Sequence, residues 1–249
     1  MDRWVGKVAV VTGASSGIGA AIVEALVKEG LLVVGLARRL ELLDQLSAKL
    51  KGAKGKLFVR RCDVSKEEDL VGSFEWVTNE LGGTDVLVNN AGIWSNTAII
   101  DDDIDGFRKL LDVNILAVAS GIGKAVASMR ERGVAGHIVN INSVDGHFIP
   151  FNETTSLYPA SKYAMTAMTE GVRRELVANK TKIKITSISP GFVKTDIIRA
   201  TGIPNWQEYF NDLPHLQAKD IADAVLYVLS TPENVQVTEL TVRPVGETC

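Results

Sequence analysis

The sequence is poor in cysteine, and its cysteines do not indicate a metal site or a disulfide framework. Only two of the 249 residues are cysteines, Cys62 and Cys249. Neither lies at the spacing that metal ligands show, and two thiols are too few for the framework of a small secreted domain. We therefore expect no bound metal and a reducing compartment.

The chain also lacks a long apolar segment and an excess of positive charge. No apolar run approaches the about 18 residues that a membrane-spanning helix needs, and the first eight residues contain no signal-peptide core. The 27 basic and 30 acidic side chains give a net charge of −3, which provides no general field for nucleic acid or anionic lipid. We predict a cytoplasmic protein with no membrane span and no nucleic-acid partner.

Short β-branched runs alternate with longer segments of helical periodicity along most of the chain. The runs are apolar along their whole length, which is typical of parallel strands that are covered by helices on both faces. The pattern predicts a single α/β domain over residues 1–249, built on a doubly wound parallel β-sheet. The predicted strands are 8–11, 32–36, 57–59, 86–88, 137–141 and 183–188, and the clearest predicted helices are 17–28, 40–50 and 67–81.

One segment departs from this alternation. Between residues 190 and 214, prolines and glycines interrupt any long helix, while aromatic and branched side chains, Trp206 and Phe210 among them, supply much apolar surface. Long loops in compact domains tend to be functional. We expect 190–214 to form a lid over an apolar substrate; packing into the core is the alternative.

A glycine-rich turn joins the first predicted strand to the first predicted helix. Gly13, Gly17 and Gly19 permit positive φ angles and let the backbone approach a pyrophosphate, whose charge the N-terminus of the helix favours. A tight turn without a ligand is the alternative. The strand–turn–helix context is the one that a dinucleotide-binding motif requires.

The end of the second predicted strand indicates which nicotinamide cofactor binds. NAD-binding proteins place an acidic residue there to accept a hydrogen bond from the ribose 2′-hydroxyl. This chain has Arg38 and Arg39, and no Asp or Glu lies between Gly30 and Leu40. Paired guanidinium groups suit the 2′-phosphate of NADP(H), although a solvated arginine pair is the alternative.

A phenol and an ammonium group lie one helical turn apart at Tyr158 and Lys162, fifteen residues after Ser143. The ammonium group is expected to lower the pKa of the phenol, so that it transfers protons near neutral pH. The serine hydroxyl would hold a carbonyl oxygen. Such a pair occurs by chance on many helices, but together with the glycine-rich turn it indicates the reduction of a ketone or the oxidation of an alcohol.

With these motifs, the chain resembles the short-chain dehydrogenase/reductase family over essentially its whole length. Several motifs of that family occur in the correct order, and the overall look resembles insect NADP-dependent farnesol dehydrogenases and their vertebrate steroid- and carbonyl-reducing relatives. The family also has a Rossmann-like fold. The matching motifs are Thr12 to Gly19, Asn89 to Gly92, Asn114, the set Ser143, Tyr158 and Lys162, and the segments Pro190-Gly191 and Val193 to Thr195.

The resemblance implies a role for each catalytic position. Tyr158 would be the general acid and base, and Ser143 would hydrogen-bond the reacting oxygen. Lys162 would lower the pKa of the tyrosine and hold the nicotinamide ribose. Asn114 would anchor a water that connects the lysine to solvent.

The resemblance also implies the positions that contact the cofactor, and we expect the protein to form a homodimer or homotetramer. Asp63 and Val64 would lie at the adenine, and Thr195 near the carboxamide. The complete predicted set is Gly13, Ser15, Ser16, Gly17, Ile18, Gly19, Arg38, Arg39, Asp63, Val64, Asn90, Ala91, Gly92, Tyr158, Lys162, Pro190, Gly191, Val193 and Thr195.

Aromatic residues near the predicted site favour a lipophilic alcohol or carbonyl, such as an isoprenoid alcohol or a steroid. A sugar site would need more hydrogen-bonding groups. Two alternatives remain open: a reductase of small carbonyls or dicarbonyls, and a dinucleotide-binding scaffold without catalysis. The predicted substrate contacts are Ser143, Trp94, Phe148, Phe151, Trp206 and Phe210.

Overall fold

Within the described residues, seven parallel strands form the centre of the molecule, one more than the six that the apolar runs predict. The computed structural model describes residues 1–95, 98–149, 157–195, 197 and 213–247. Every strand pairing is parallel. The strands are β1 Val8–Thr12, β2 Leu32–Ala37, β3 Lys56–Arg61, β4 Val86–Asn89, β5 His137–Ile141, β6 Lys184–Pro190 and β7 Glu239–Val242.

Helices cover both faces of the sheet and bury it in two hydrophobic cores. One core packs α1 and α7 on the sheet, and the other packs α3, α5 and α6 on the opposite face. A π-helical turn at Asp112–Leu116 joins α4 to α5. The helices are α1 Gly17–Lys28, α2 Leu40–Lys49, α3 Glu67–Leu81, α4 Ile104–Leu111, α5 Ala117–Glu131, α6 Leu157–Ala178 and α7 Ala218–Ser230.

The fold predicted from the sequence is confirmed. The predicted bounds of α1, α3 and β5 match the structure, and the other predicted strands agree within a few residues. The sequence reading missed α7 and β7. Strand β7 is short and only half-buried at the edge of the sheet, so it lacks the continuous apolar run that marks the central strands.

The order of the strands opens a crevice in the middle of the sheet. The order is β3-β2-β1-β4-β5-β6-β7, so the chain builds outward from β1 in one direction and then returns to begin again at β4. At this reversal the crossover helices that follow β1 and β4 lie on opposite faces of the sheet. A crevice therefore forms beyond the carboxyl ends of these two strands. Open α/β sheets bind their ligands at this place.

Hydrogen bonds hold the two sides of the crevice together. The hydroxyl of Thr12, at the end of β1, accepts from the backbone N–H groups of Asn90 and Ala91, both at 3.0 Å. The side-chain amide of Asn90 donates in return to the carbonyl oxygens of Thr12, at 3.0 Å, and Gly13, at 3.2 Å. The loop after β4 is therefore fixed against the glycine-rich turn.

A buried carboxylate fixes the opposite ends of the same two strands. Asp85, just before β4, accepts from the backbone N–H of Val8 at 2.9 Å and from the guanidinium group of Arg132 at 3.0 Å. Its side chain is 7% exposed and that of Arg132 is 27% exposed. The pair therefore sets the alignment of β4 beside β1.

One helical stretch, Ile104–Glu131, is long enough and apolar enough to cross a membrane by length and composition alone. It comprises α4, the π-helical turn and α5. One side of it, with Val118, Ile122, Ala125 and Met129, packs into the second core beneath the sheet. A helix that covers a buried sheet needs such an apolar face.

The Asp85–Arg132 pair gives a stability prediction. Arg132→Ala leaves a buried carboxylate with one partner fewer, so the free energy of unfolding should fall by about 2–3 kcal/mol, which urea denaturation would measure. Arg108→Ala is the matched control, because Arg108 is 72% exposed in its ion pair with Asp105 and exposed pairs contribute little. Equal urea midpoints for the two variants would show that the Asp85–Arg132 pair does not stabilise the strands.

Candidate active site

A cavity of about 1250 Å³ occupies the crevice at the carboxyl ends of the strands. Its wall is formed by the glycine-rich turn, the ends of β2 to β6, the N-terminal part of α6 and the last described residues of the chain. The structure places most of the predicted cofactor residues on this wall. They are Gly13, Ser15, Ser16, Gly17, Ile18, Arg38, Arg39, Asp63, Val64, Asn90, Ala91, Gly92, Tyr158, Lys162, Pro190, Gly191, Val193 and Thr195.

The glycines of the turn are required by close backbone contacts. Gly13 has φ +65°, and a Cβ there would lie 2.8 Å from the Cα of Ala91. A Cβ on Gly19 would lie 2.3 Å from the carbonyl oxygen of Gly13. Gly19 is buried and does not line the cavity, so its place is behind the turn, where it lets α1 pack closely.

Basic and hydroxyl side chains meet at one end of the cavity. The guanidinium group of Arg39 donates to the hydroxyl of Ser16 at 2.6 Å and to that of Ser15 at 3.2 Å. Arg38 lies near Asp63: burial would raise the pKa of this carboxyl, but hydrogen bonds from Ser65 and the charge of Arg38 lower it overall. Two exposed guanidinium groups beside two hydroxyls fit a phosphate group.

The glycine-rich turn and the start of α1 have the features that a dinucleotide phosphate requires. The backbone of the turn borders the cavity at Gly13 and Gly17, where side chains would block it. Gly17 has φ +54°, and a Cβ there would lie 3.2 Å from the Thr195 side chain. Helix α1 begins at Gly17 and directs its free N–H groups to the same place. The residues present therefore fit a pyrophosphate at the turn and a further phosphate at Arg38 and Arg39.

The serine that follows β5 is presented by a tight turn. Ser143 precedes a 3-10 turn at Val144–Gly146, and its hydroxyl accepts from the backbone N–H of Asp145 at 3.0 Å. Gly146 lets this turn press on α6, because a Cβ there would lie 2.9 Å from the carbonyl oxygen of Lys162. The serine is thus held against the helix that carries Tyr158.

Polar side chains within the core fix α6 against the sheet. Asn89 donates to the side-chain oxygen of Asn140 at 2.8 Å, and Asn140 donates to the hydroxyl of Thr169 at 2.9 Å. One turn earlier on the helix, Thr166 accepts from Asn142 at 2.9 Å. Buried polar groups are stable only when paired, so these bonds select one position of α6 along the sheet.

The structure brings Ser143, Tyr158 and Lys162 together on one wall of the cavity. The ammonium nitrogen of Lys162 lies 5.6 Å from the centre of the Tyr158 ring and donates to the carbonyl oxygen of Ile141 at 3.2 Å. Burial lowers the pKa of Lys162 to about 8, although the negative charge of Asp145 raises it.

The expectation that Tyr158 has a lowered pKa is wrong for this structure. Burial raises the pKa of the phenol above its ordinary value, and the charge of Asp145 raises it further. A hydrogen bond with Ser143 opposes the shift but does not cancel it. The reason is that transfer of the phenol out of water disfavours its charged form more than the nearby groups favour it.

Asn114 lies behind the cavity wall, fully buried, rather than on it. Its amide nitrogen donates to the carbonyl oxygen of Ile93 at 2.9 Å and to the hydroxyl of Ser161 at 3.1 Å, and its amide oxygen accepts from the N–H of Ile93 at 2.9 Å. Ser161 in turn donates to the carbonyl oxygen of Tyr158 at 2.7 Å. The side chain therefore ties the loop after β4 to the first turn of α6.

The remaining part of the cavity is mostly apolar. Trp94 and Phe148 line it as predicted; Phe151, Trp206, Phe210 and most of the expected lid at 190–214 lie outside the described residues. The sequence reading missed several lining residues, and for Asp145 its position two residues after Ser143 was an available signal. Among the missed residues are Ile93, Lys109, Val113, Val144, Asp145, Gly246 and Glu247, whereas Phe192, Ile197, Leu213 and Pro214 belong to the segment 190–214 that was expected to cover the substrate.

Comparisons with known proteins agree with this geometry. A family model described as short chain dehydrogenase matches residues 7–204. A farnesol dehydrogenase of Aedes aegypti is 51% identical over 249 residues, which cover 99% of each chain. Dehydrogenase/reductase SDR family member 11 of Mus musculus is 42% identical over 250 residues, covering 98% of this chain and 96% of that protein.

The fold also matches solved structures over nearly its whole length. The closed form of a serine dehydrogenase complexed with NADP+ superposes with a TM-score of 0.87 at 25% sequence identity. The match covers 97% of this chain and 96% of that one. The similarity therefore includes both the sheet and the crevice in which the cavity lies.

Proposed function

The chain belongs to the short-chain dehydrogenase/reductase family of oxidoreductases, and we propose that it uses NADP(H) to interconvert an alcohol and a carbonyl on a lipophilic substrate. One observation carries this proposal. Ser143, Tyr158 and Lys162 share one wall of a cavity whose other end has a glycine-rich turn and two arginines. The cavity therefore has a polar end for a dinucleotide and a reactive centre next to an apolar space.

The chain's own residues position the substrate oxygen and move its proton. The hydroxyl of Ser143 donates a hydrogen bond to the carbonyl oxygen and aligns it beside Tyr158. The phenol then gives its proton to that oxygen in reduction, and takes it back in oxidation. The nicotinamide ring, when bound, supplies or accepts the hydride.

Lys162 assists the proton transfer through its positive charge beside the phenol. Its ammonium group lies 5.6 Å from the ring of Tyr158, where its charge stabilises a phenolate that forms during the reaction. We propose that it also holds the ribose hydroxyls. Asn114 lies within the π-helical turn, a structure frequent at functional sites, and we propose that it anchors the water that returns protons to Lys162.

The arginines carry the proposal for NADP(H). Arg39 is already held by the hydroxyls of Ser15 and Ser16, so these two hydroxyls and the two guanidinium groups would hold a 2′-phosphate. A charge-assisted hydrogen bond contributes about 1.5–3 kcal/mol. NAD(H), which has a hydroxyl in this position, would offer the two guanidinium groups no phosphate to bind.

Replacing both arginines with glutamine should raise the KM for NADP by about 10-fold or more, with a far smaller change for NAD, because only the phosphate loses its partners. Steady-state kinetics with both cofactors would measure this. Arg61→Gln is the matched control, since Arg61 ends β3 and is exposed. A preference of the unmodified protein for NAD would overturn the cofactor proposal.

Tyr158→Phe keeps the ring but removes the transferable proton, so kcat should fall by about 10²–10⁴ while NADPH binding, followed by fluorescence, persists. Tyr163→Phe, on the same helix and 41% exposed, should keep normal turnover. Turnover of the Tyr158 variant at the normal rate would exclude this mechanism. If no substrate is turned over by the unmodified protein, the alternative of a non-catalytic scaffold gains support.

The apolar wall supports a lipophilic substrate such as farnesol or a steroid. Nine of the described side chains around the reactive end are apolar, and their burial against a ligand contributes about 25 cal/mol per Å². Three charged side chains, Lys109, Asp145 and Glu247, reach the same cavity and favour the second candidate, a reductase of small carbonyls or dicarbonyls. The nine are Ile93, Trp94, Val113, Val144, Phe148, Phe192, Ile197, Leu213 and Pro214.

The expectation that the segment 190–214 covers this apolar end stays a prediction. Phe192 and Pro214, which are described residues near its two ends, line the cavity. A homodimer or homotetramer, a cytoplasmic location and a single domain over residues 1–249 stay predictions.

A series of prenyl alcohols with one, two and three isoprene units tests the substrate class. Each buried CH₂ contributes about 0.8 kcal/mol, so kcat/KM with NADP+ should rise by roughly 3–4-fold per added carbon until the chain leaves the cavity. Small dicarbonyls with NADPH form the comparison. A flat prenyl series, together with higher kcat/KM for dicarbonyls, would support the second candidate instead.

A further inference from the structure

The turn after Ser143 carries a carboxyl group into the reactive centre. Asp145 lines the cavity with Ser143, Tyr158 and Lys162, and is only partly accessible to water. Its backbone N–H donates to the Ser143 hydroxyl at 3.0 Å, so the 3-10 turn fixes where its side chain begins. The turn itself is pressed on α6 at Gly146, which leaves Asp145 little freedom to move away.

Charged and titratable groups on two other elements interact electrostatically with this carboxyl. Helix α6 contributes Lys162 and the Tyr158 phenol, and the C-terminal segment contributes Arg243 and Glu247. The turn's own titratable neighbour is His147, which is exposed and lies 3.3 Å from Glu239.

The C-terminal charges are already engaged with each other. Glu247 accepts from Arg243 at 3.0 Å and from the backbone N–H of Phe192 at 2.8 Å. The guanidinium group of Arg243 also lies 5.0 Å from the centre of the Phe148 ring. The charges of Glu247 and Arg243 shift the pKa of Asp145 in opposite directions, and the charge of Lys162 affects it more than either.

We propose that Asp145 acts through Tyr158 to set the pH at which the site becomes competent for alcohol oxidation, with its carboxylate holding the phenol in the protonated form. This rests on the proposed role of Tyr158 as general base. A negative charge near a phenol disfavours the phenolate, and the same charge favours the ammonium form of Lys162. The carboxylate thus keeps two protons at the reactive centre.

The directions of the pKa shifts agree with this arrangement. Burial raises the pKa of Asp145 from 3.8 to about 6, Lys162 and Arg243 lower it, and Glu247 raises it. Above about pH 6 the carboxylate is therefore ionised and acts on the phenol. Asp145→Asn removes the charge and keeps the shape, so the pKa of Tyr158 should fall.

The kinetic test follows kcat/KM for alcohol oxidation with NADP+ against pH. In Asp145→Asn and Asp145→Ser, the midpoint of the rising limb should move to lower pH by roughly 0.5–1.5 units. Asp145→Glu, which restores the charge, should stay close to the unmodified protein. Asp105→Asn is the matched control: it changes the net charge equally, but its side chain is 91% exposed on α4.

A second readout needs no substrate. A carboxyl with a raised pKa in the folded protein binds more protons when folded, so its contribution to stability falls as pH rises from 3.8 to about 6. Asp145→Asn removes this loss. Its melting temperature should match that of the unmodified protein near pH 4 and exceed it by roughly 2–6 °C near pH 7.

If the rising limb of the pH profile does not move in Asp145→Asn, or moves to higher pH, the inference is wrong. A move to higher pH would mean that the carboxylate acts mainly through Lys162. Equal melting temperatures at both pH values would show that the carboxyl is not titrating in the buried turn and would also overturn it. Normal turnover in Tyr158→Phe would show that the proposed role of Tyr158 is wrong. That outcome is therefore distinguishable from a failure of the inference about Asp145.

Discussion

The reversal of strand order between β1 and β4 is the constraint on which the site depends. Parallel strands end at the same edge of the sheet, and at this reversal the crossover helices separate, so backbone donors at the edge face a crevice. Beyond the paired parts of the two strands, Thr12 and Asn90 connect the sides of the crevice through four hydrogen bonds, which place the glycine-rich turn and the loop after β4 at a fixed distance.

The reactive centre depends in turn on how closely α6 approaches the end of β5. Gly146 removes the side chain that would separate the turn from the helix, and the Asn89–Asn140–Thr169 bonds fix the helix along the sheet. This close approach buries the phenol and the ammonium group. Burial shifts both pKa values towards the neutral forms, so the charges around the centre, Asp145 among them, decide how the proton is held.

Much of the cofactor end could be predicted from the sequence, because its groups follow one another along the chain. The glycine-rich turn and the Arg38-Arg39 pair each belong to a single strand end, and periodicity was enough to place those ends at one edge. Glu247 could not be predicted in this way. It reaches the cavity from the far end of the chain, and only the pairing of β6 with β7 brings it to the N–H of Phe192.

The sequence by itself determined the sheet, its helices and the chemical groups of the site, because apolar periodicity and glycine placement are local properties. Only the tertiary structure decided the state of those groups. A helical spacing of four residues brings Lys162 near Tyr158, and on that ground alone the phenol should be easier to ionise. Burial between the turn after Ser143 and the end of β5 raises the pKa of the phenol instead, because desolvation depends on every neighbour in space and not on spacing along one helix.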